Sequence, residues 1–459
     1  LYYFLPAILL VYFSVPYRFK NTVLLLGSLF FYFWGEPKYV VLLLFSSVVD
    51  YIHALIIDKY RGSKIAKGAL LSSIIINLSL LGFFKYSDFF IANINAIFNR
   101  DIKLLRLSLP IGISFYTFQT MSYTIDVYRE DAKVQKNPLD LATYVALFPQ
   151  LIAGPIVRYK TIEEEINFRT HSMDSFAHGI NRFVIGLSKK VLLANPLGEL
   201  NVLAMNSSRA TVLFYWMSII AFALQAYFDF SGYSDMAIGL GKMFGFSFPE
   251  NFNYPYISKS ISEFWNRWHM SLGTWFRDYL YIPLGGNRVS KPKWFRNIFI
   301  VWLCTGIWHG ASWNFIIWGL YFGVIIVMEK LFLKEYLDKM PSFFCHIYVL
   351  FLVIISFVLF SIESMTGILN HLKGMFGLLD LPLYDAESLY YLKSYAITVL
   401  IAIVGTTPLV KNIINKKRNS KIIGRAIGIL EPVCYIALLM IITGYLVDSS
   451  FNPFLYFRF

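Results

Sequence analysis

FWNRWHMSLGTWFRDYLYIPLGGNR (264–288) and TGIWHGASWNFIIWG (305–319) are the stretches on which the reading of this chain turns. They set arginine, aspartate, asparagine and two histidines, His269 and His309, among tryptophans, in a chain that is otherwise mostly apolar. Ionisable side chains at bilayer depth are costly and mark functional sites by default. The apolar segments on either side therefore read as a scaffold that holds this stretch in a membrane.

Of the 459 residues, 57% are hydrophobic and only 15% charged, against about 25% charged in soluble domains. Repeated apolar runs and the lack of a long polar linker predict an all-α polytopic membrane protein, read as one domain over 1–459. A helix needs about 20 apolar residues to cross the bilayer core. The candidate spans are 1–16, 21–35, 38–57, 68–84, 180–197, 211–229, 296–309, 311–333, 344–362, 389–410 and 425–447. The first is read as a span shortened at its start rather than a signal peptide, because it lacks a basic n-region and an A-x-A site. Several of the others are short, which predicts tilt, local thinning or incomplete crossing.

Two segments resist a simple span. Residues 107–128 are rich in Ser, Thr and Tyr after Pro110 and Gly112, and 139–159 is broken by Pro149, Gly154 and Pro155. Broken helices persist at membrane depth only when buried in protein or facing a watery cavity. Both are therefore candidate cavity walls, with kinked helices of an ordinary bundle as the alternative. Residues 158–182 carry Arg158, Lys160, Glu163, Glu164, Glu165 and Arg169 and are expected at the surface. Asp50 and His53, near the end of span 38–57, are expected at the interface.

The net charge is +13, from 41 basic and 28 acidic residues. The basic residues cluster in loops: Lys59, Arg61, Lys64 and Lys67; Arg288, Lys291, Lys293 and Arg296; Lys411, Lys416, Lys417, Arg418, Lys421 and Arg425. By the positive-inside rule these loops face the cytoplasm, the final tail lies outside, and no basic arm points to nucleic acid. Cys304, Cys345 and Cys434 have no metal spacing and are expected as free thiols, with no metal site.

His309 stands among Gly306, Trp308, Gly310 and Ala311. A neutral imidazole in a dry tunnel can act as base toward an alcohol; the alternative is a core histidine bonded to a neighbouring helix. Trp265 and His269 are i,i+4 and would share a helical face. Arg267, Trp268, Arg277 and Asp278 follow nearby, which suits a helix at the cytoplasmic interface. The turn 283–288 is rimmed by Arg288, Lys291 and Lys293, and could meet phosphate groups through glycine amides and cations or be a plain turn. Asp229 and Asp235 could hold a ligand, or pair with Arg267 or Arg277.

These motifs, with YFDFSGYSDMAIG (227–239) and FNPFLYFRF (451–459), resemble the membrane-bound O-acyltransferase family, and most closely its bacterial alginate O-acetylase branch. The resemblance runs over nearly the whole chain. It implies a ring of tilted and broken transmembrane helices around a central tunnel, with His309 as catalytic base and His269 as a second functional histidine. It also implies acetyl transfer from cytoplasmic acetyl-CoA, with no resident cofactor, toward hydroxyls of an extracytoplasmic polysaccharide. The enzyme would sit in the cytoplasmic membrane and work with a membrane-anchored or secreted acetyltransferase. Trp265, Arg267, Trp268, Arg277, Asp278, Arg288, Trp308, Asp229 and Asp235 would line the donor side. Tyr456 in the aromatic tail would relay the acyl group or, alternatively, plug the ring. Rival readings are D-alanyl transfer from a carrier protein to teichoic acid, a transporter or flippase, and a non-catalytic scaffold.

Overall fold

The computed structural model describes residues 1–448; residues 449–459, with Tyr456, lie outside the described residues. Among the described residues every regular element is helical, and seven helices are long and apolar enough to cross a membrane. The expected all-α polytopic class is met. The chain divides into two compact units, Leu1–Ile180 with Ala237–Pro249, and Asn181–Met236 with the chain from Glu250 onward.

The first unit holds α1 (Phe4–Ser14), α2 (Lys20–Gly35), α3 (Val40–Lys59), α4 (Lys64–Phe98), α5 (Ile113–Tyr128), α6 (Pro138–Ala146), α7 (Tyr159–Asn167) and the start of α8 (Met173–Ser188). The span expected at 68–84 is a longer helix, α4, of 35 residues. At 1.5 Å per residue it runs about 52 Å and outreaches the hydrocarbon core.

Helices α3, α4 and α5 pack on one another, and α5 is buried along nearly its whole length. Gly112 precedes α5 at φ 78°, and a Cβ there would stand 2.6 Å from the Leu151 carbonyl oxygen. Only glycine tolerates both demands. The segment read as broken, 139–159, is helical to Ala146 and again from Tyr159; between them Leu147, Phe148, Leu151 and Ile156 are buried in irregular backbone. Burial in protein is one of the two settings that bilayer depth allows such backbone.

Two expectations fail in this unit. Asp50 is not interfacial but fully buried, and accepts from Ser73 Oγ at 2.6 Å and from Asn77 Nδ2 at 3.0 and 2.9 Å. Arg158 and Arg169 are not at the surface either: both are buried, and Arg169 has Nε donating to Tyr12 Oη (2.8 Å) and the Phe244 carbonyl (3.0 Å) and Nη1 to Asn21 Oδ1 (2.7 Å). For Asp50 and Arg169, partners far away in sequence supply the hydrogen bonds that make burial tolerable.

The second unit holds the end of α8, α9 (Asn195–Met205), α10 (Val212–Met243) as far as Met236, α11 (Ile261–Arg267), α12 (Met270–Phe276), α13 (Lys291–His309), α14 (Trp313–Met328), α15 (Lys334–Lys339), α16 (Ser342–Ser361), α17 (Met365–Met375), α18 (Ala386–Gly405), α19 (Leu409–Arg418) and α20 (Lys421–Asp448). A π-helical turn at Lys189–Ala194 interrupts the span expected at 180–197. The core of this unit is aromatic, with Phe222, Phe228, Phe264, Trp268, Trp318 and Phe322 buried together. Rings of this size meet edge-to-face, as Trp265 does with Trp318 and with Phe322, a preferred geometry that also fixes orientation.

Candidate active site

His309 is the last residue of α13, and glycines set where it stands. A Cβ on Gly306 would run into the Phe315 carbonyl, and one on Gly319 into the Trp302 carbonyl and, at 3.1 Å, the Gly306 Cα. The antiparallel helices α13 and α14 therefore meet backbone to backbone, the close approach that small residues permit between membrane helices. One turn beyond this crossing, His309 lies edge-on to Trp318, with ring centroids 4.9 Å apart, and 5.3 Å from Phe360. It is 5% exposed and lines a small aromatic cavity with Asp229, Trp265, Trp318, Ser356 and Phe360. Among the described residues the indole N–H groups of Trp265 and Trp318 have no hydrogen-bond partner. Leaving a buried donor unpaired costs on the order of 1–3 kcal/mol, so two such donors in one cavity wall suit a ligand that accepts.

His269 sits at a corner. The stretch expected as one helix ends at Arg267 and restarts at Met270, with His269 between them in the left-handed region (φ 43°, ψ 53°). Trp265 and His269 therefore do not share a helical face. A non-glycine residue held there costs roughly 1–3 kcal/mol and persists only when its surroundings over-determine it. They do: the Met270 N–H donates to the Asn251 carbonyl (2.9 Å), and the Asn253 N–H to that of Arg267 (2.9 Å).

The start of α11 is anchored from another helix. Buried Glu329, in the π-helical turn that continues α14, accepts from the Ile261 N–H (2.6 Å), the Ser262 N–H (2.9 Å) and Ser262 Oγ (2.9 Å). The open N–H groups of a helix N-terminus favour a carboxylate.

A second, wider cavity is lined by His269, Trp265, Arg277, Tyr281, Thr305 and Lys330. Trp265 belongs to the walls of both cavities. Trp308 links the two histidines: its ring lies 5.0 Å from that of His309 and 5.9 Å from that of His269. Arg277 is hydrogen-bonded to the adjacent Asp278 (2.7 Å), which holds its proton more tightly than usual and keeps it charged.

The other expected site residues fall as follows. Trp268 is buried in the aromatic core and lines the inner cavity. Asp229 and Asp235 are paired structurally, but not with Arg267 or Arg277. Asp229 meets Lys190 at 2.5 Å; Asp235 meets Lys189 at 2.6 Å and Arg182 at 2.8 Å. Arg267 instead pairs with Glu263, one helical turn back, at 2.9 Å.

At the 283–288 turn the Gly285 and Gly286 amides already donate to the carbonyls of Ile282 and Tyr281, so glycine N–H groups are not on offer to phosphate. Arg288, Lys291 and Lys293 are exposed there, with both lysines in the first turn of α13. That is the helix end at which cations are disfavoured, so something other than helix stability keeps them there. Sequence reasoning missed Lys330, hidden beside Glu329 within an apolar run, and Trp318 and Asn251, whose residue types give no signal alone.

Seven apolar helices of crossing length among the described residues, with a histidine-lined cavity beside them, fit a multi-pass membrane protein. The chain matches the membrane-bound O-acyltransferase family over residues 128–370. It is 37% identical to a probable alginate O-acetylase from Azotobacter vinelandii, over 100% of this chain and 98% of that protein. It is also 37% identical to a peptidoglycan O-acetyltransferase from Helicobacter pylori, over 82% of this chain and 78% of that one. A teichoic acid D-alanyltransferase from Bacillus subtilis is 31% identical, over 49% of this chain and 60% of that protein. The chain belongs to the membrane-bound O-acyltransferase family and is an O-acyltransferase.

Proposed function

We propose that this enzyme moves an acetyl group from cytoplasmic acetyl-CoA toward hydroxyls of an extracytoplasmic polysaccharide, in the cytoplasmic membrane, with a membrane-anchored or secreted acetyltransferase as partner. The observation that carries the proposal is the pair of cavities that share Trp265, one lined by His309 and the other by His269, Arg277 and Lys330. The names of the relatives matched over most of the chain support acetyl as the group moved.

In this reading the wider cavity receives the donor. Arg277 and Lys330, with Arg288, Lys291 and Lys293 at the foot of α13, would meet its phosphates through charge-assisted contacts. The thioester would reach the inner cavity, where the Trp265 and Trp318 indole N–H groups are the donors available to its carbonyl oxygen as negative charge develops. His309 would take the proton of the acceptor hydroxyl as that oxygen attacks the carbonyl carbon. The carbon–sulfur bond breaks, and the departing thiolate takes up the proton. Tyr456 as first acceptor belongs to the same proposal; Tyr456→Phe with normal polymer acetylation would remove that step and leave the rest standing.

The test is to supply membranes carrying the enzyme and its partner with acetyl-labelled acetyl-CoA or with D-alanyl carrier protein. Label in polysaccharide from the first donor, lost in His309→Ala, is the expected result. Label from the carrier alone would move the enzyme to the D-alanyl reading.

A further inference from the structure

Asn251 lies in the loop before α11, nearly fully buried, and its side-chain oxygen is turned to the corner that holds His269. Its Oδ1 accepts from the Ser271 N–H (3.2 Å) and from Ser271 Oγ (2.9 Å), and lies 3.1 Å from His269 Nδ1. Its Nδ2 donates to Ser234 Oγ at 3.0 Å. A backbone N–H can only donate, so the contact with Ser271 fixes which end of the amide is oxygen. An amide oxygen can only accept, so the proton in the contact with His269 belongs to Nδ1. The Asn251 carbonyl also takes the Met270 N–H, so one residue secures both the left-handed backbone of His269 and its ring.

We infer that Asn251 is the positioning residue for His269: it holds the imidazole as the Nδ1–H tautomer and leaves Nε2 as the nitrogen with the lone pair. His269 then offers the donor cavity a hydrogen-bond acceptor. It recognises an N–H or O–H of the acyl donor, such as an amide N–H of a pantetheine arm, and does not act as an electrophilic donor to the thioester carbonyl. The inference rests on the proposed donor side of the site, but the tautomer itself does not depend on which acyl group is moved.

The experiment reads that tautomer directly. Purified enzyme with ¹⁵N-labelled histidine, in nanodiscs near neutral pH, is examined by NMR, and the His269 signals are assigned by their loss in His269→Gln. The expected spectrum has a protonated Nδ1 and an unprotonated Nε2. Asn251→Asp keeps the accepting oxygen and should keep this tautomer; Asn251→Leu removes it and should give a mixture or the Nε2–H form. Turnover in the same preparations should show donor KM raised about tenfold in Asn251→Leu, the loss of one hydrogen bond's worth of binding, with kcat changed less and with rescue in Asn251→Asp. A wild-type His269 in the Nε2–H form overturns the inference without any variant. So does a folded Asn251→Leu protein with the wild-type tautomer. If acetyl-CoA is not the donor, the tautomer result stands and only the pantetheine assignment falls.

Discussion

At the scale of single residues, the proposed chemistry rests on His309 and its ring contacts. His309→Ala should lower transfer by about 10²–10⁴-fold, the usual loss of a general base, with helical content by circular dichroism unchanged because alanine favours the helix that the residue ends. Turnover close to wild type would take the base role away from it. Trp318→Phe keeps the edge-on ring and deletes one N–H; turnover should fall roughly tenfold while donor binding, measured by calorimetry, stays put. Both histidines were legible in the sequence, because an imidazole among glycines and tryptophans in an oily chain stands out by type and neighbours alone. Their supports were not. Asn251 is an ordinary loop residue until the fold brings it against His269, and Asp229 gives no hint that its partner is Lys190 rather than an arginine of the motif. Residue type announces cost, whereas pairing is settled by contacts that sequence distance does not encode.

The helices α11, α13 and α14 form the frame, and two contacts hold it. At the Gly306–Gly319 crossing, Gly319→Val would force backbones apart at the point from which His309 is aimed. Overpacking of this kind costs typically 1–3 kcal/mol, so the melting temperature should drop and transfer should fall further than the lost folded fraction explains. At the other contact, Glu329→Ala leaves the Ile261 and Ser262 N–H groups without their acceptor. A loss of about 1–3 kcal/mol is expected, read as a lower melting temperature with donor KM raised, since α11 carries Trp265. An unchanged melting temperature would mean that another group caps α11. The apolar runs located most helices correctly, with ends shifted where a polar residue sits inside a helix or an apolar one outside. The broken stretch 139–159 was legible as irregular from Pro149, Gly154 and Pro155, and the turn 283–288 from its proline and glycines. Where a helix would stop and restart, as at His269, was not, because tertiary hydrogen bonds impose that corner against local preference.

For the molecule as a whole, the exposed cations at Arg288, Lys291 and Lys293 are read as facing the cytoplasm, together with those of α19. There, Lys416, Lys417 and Arg418 adjoin an exposed apolar face of Leu409, Val410, Ile413 and Ile414, a pattern at home on a membrane surface. Replacing Arg288, Lys291 and Lys293 together with glutamine should weaken acetyl-CoA binding several-fold at low salt, with the difference shrinking as ionic strength rises. Equal affinity at low salt, with a loop reagent still reaching it only from the cytoplasmic side, would leave those charges a purely topological job. Trp265 has a consequence for the cell's energy supply rather than for chemistry. A membrane that stores a proton gradient cannot hold an open passage, and here the two cavities share one wall residue, Trp265. In the proposed reading, the ring that bounds the donor's path would also be an electrical seal. Proteoliposomes bearing Trp265→Ala should lose an imposed pH difference faster than those with wild-type enzyme, and cells expressing the variant should grow poorly for want of membrane potential even where no polysaccharide is made.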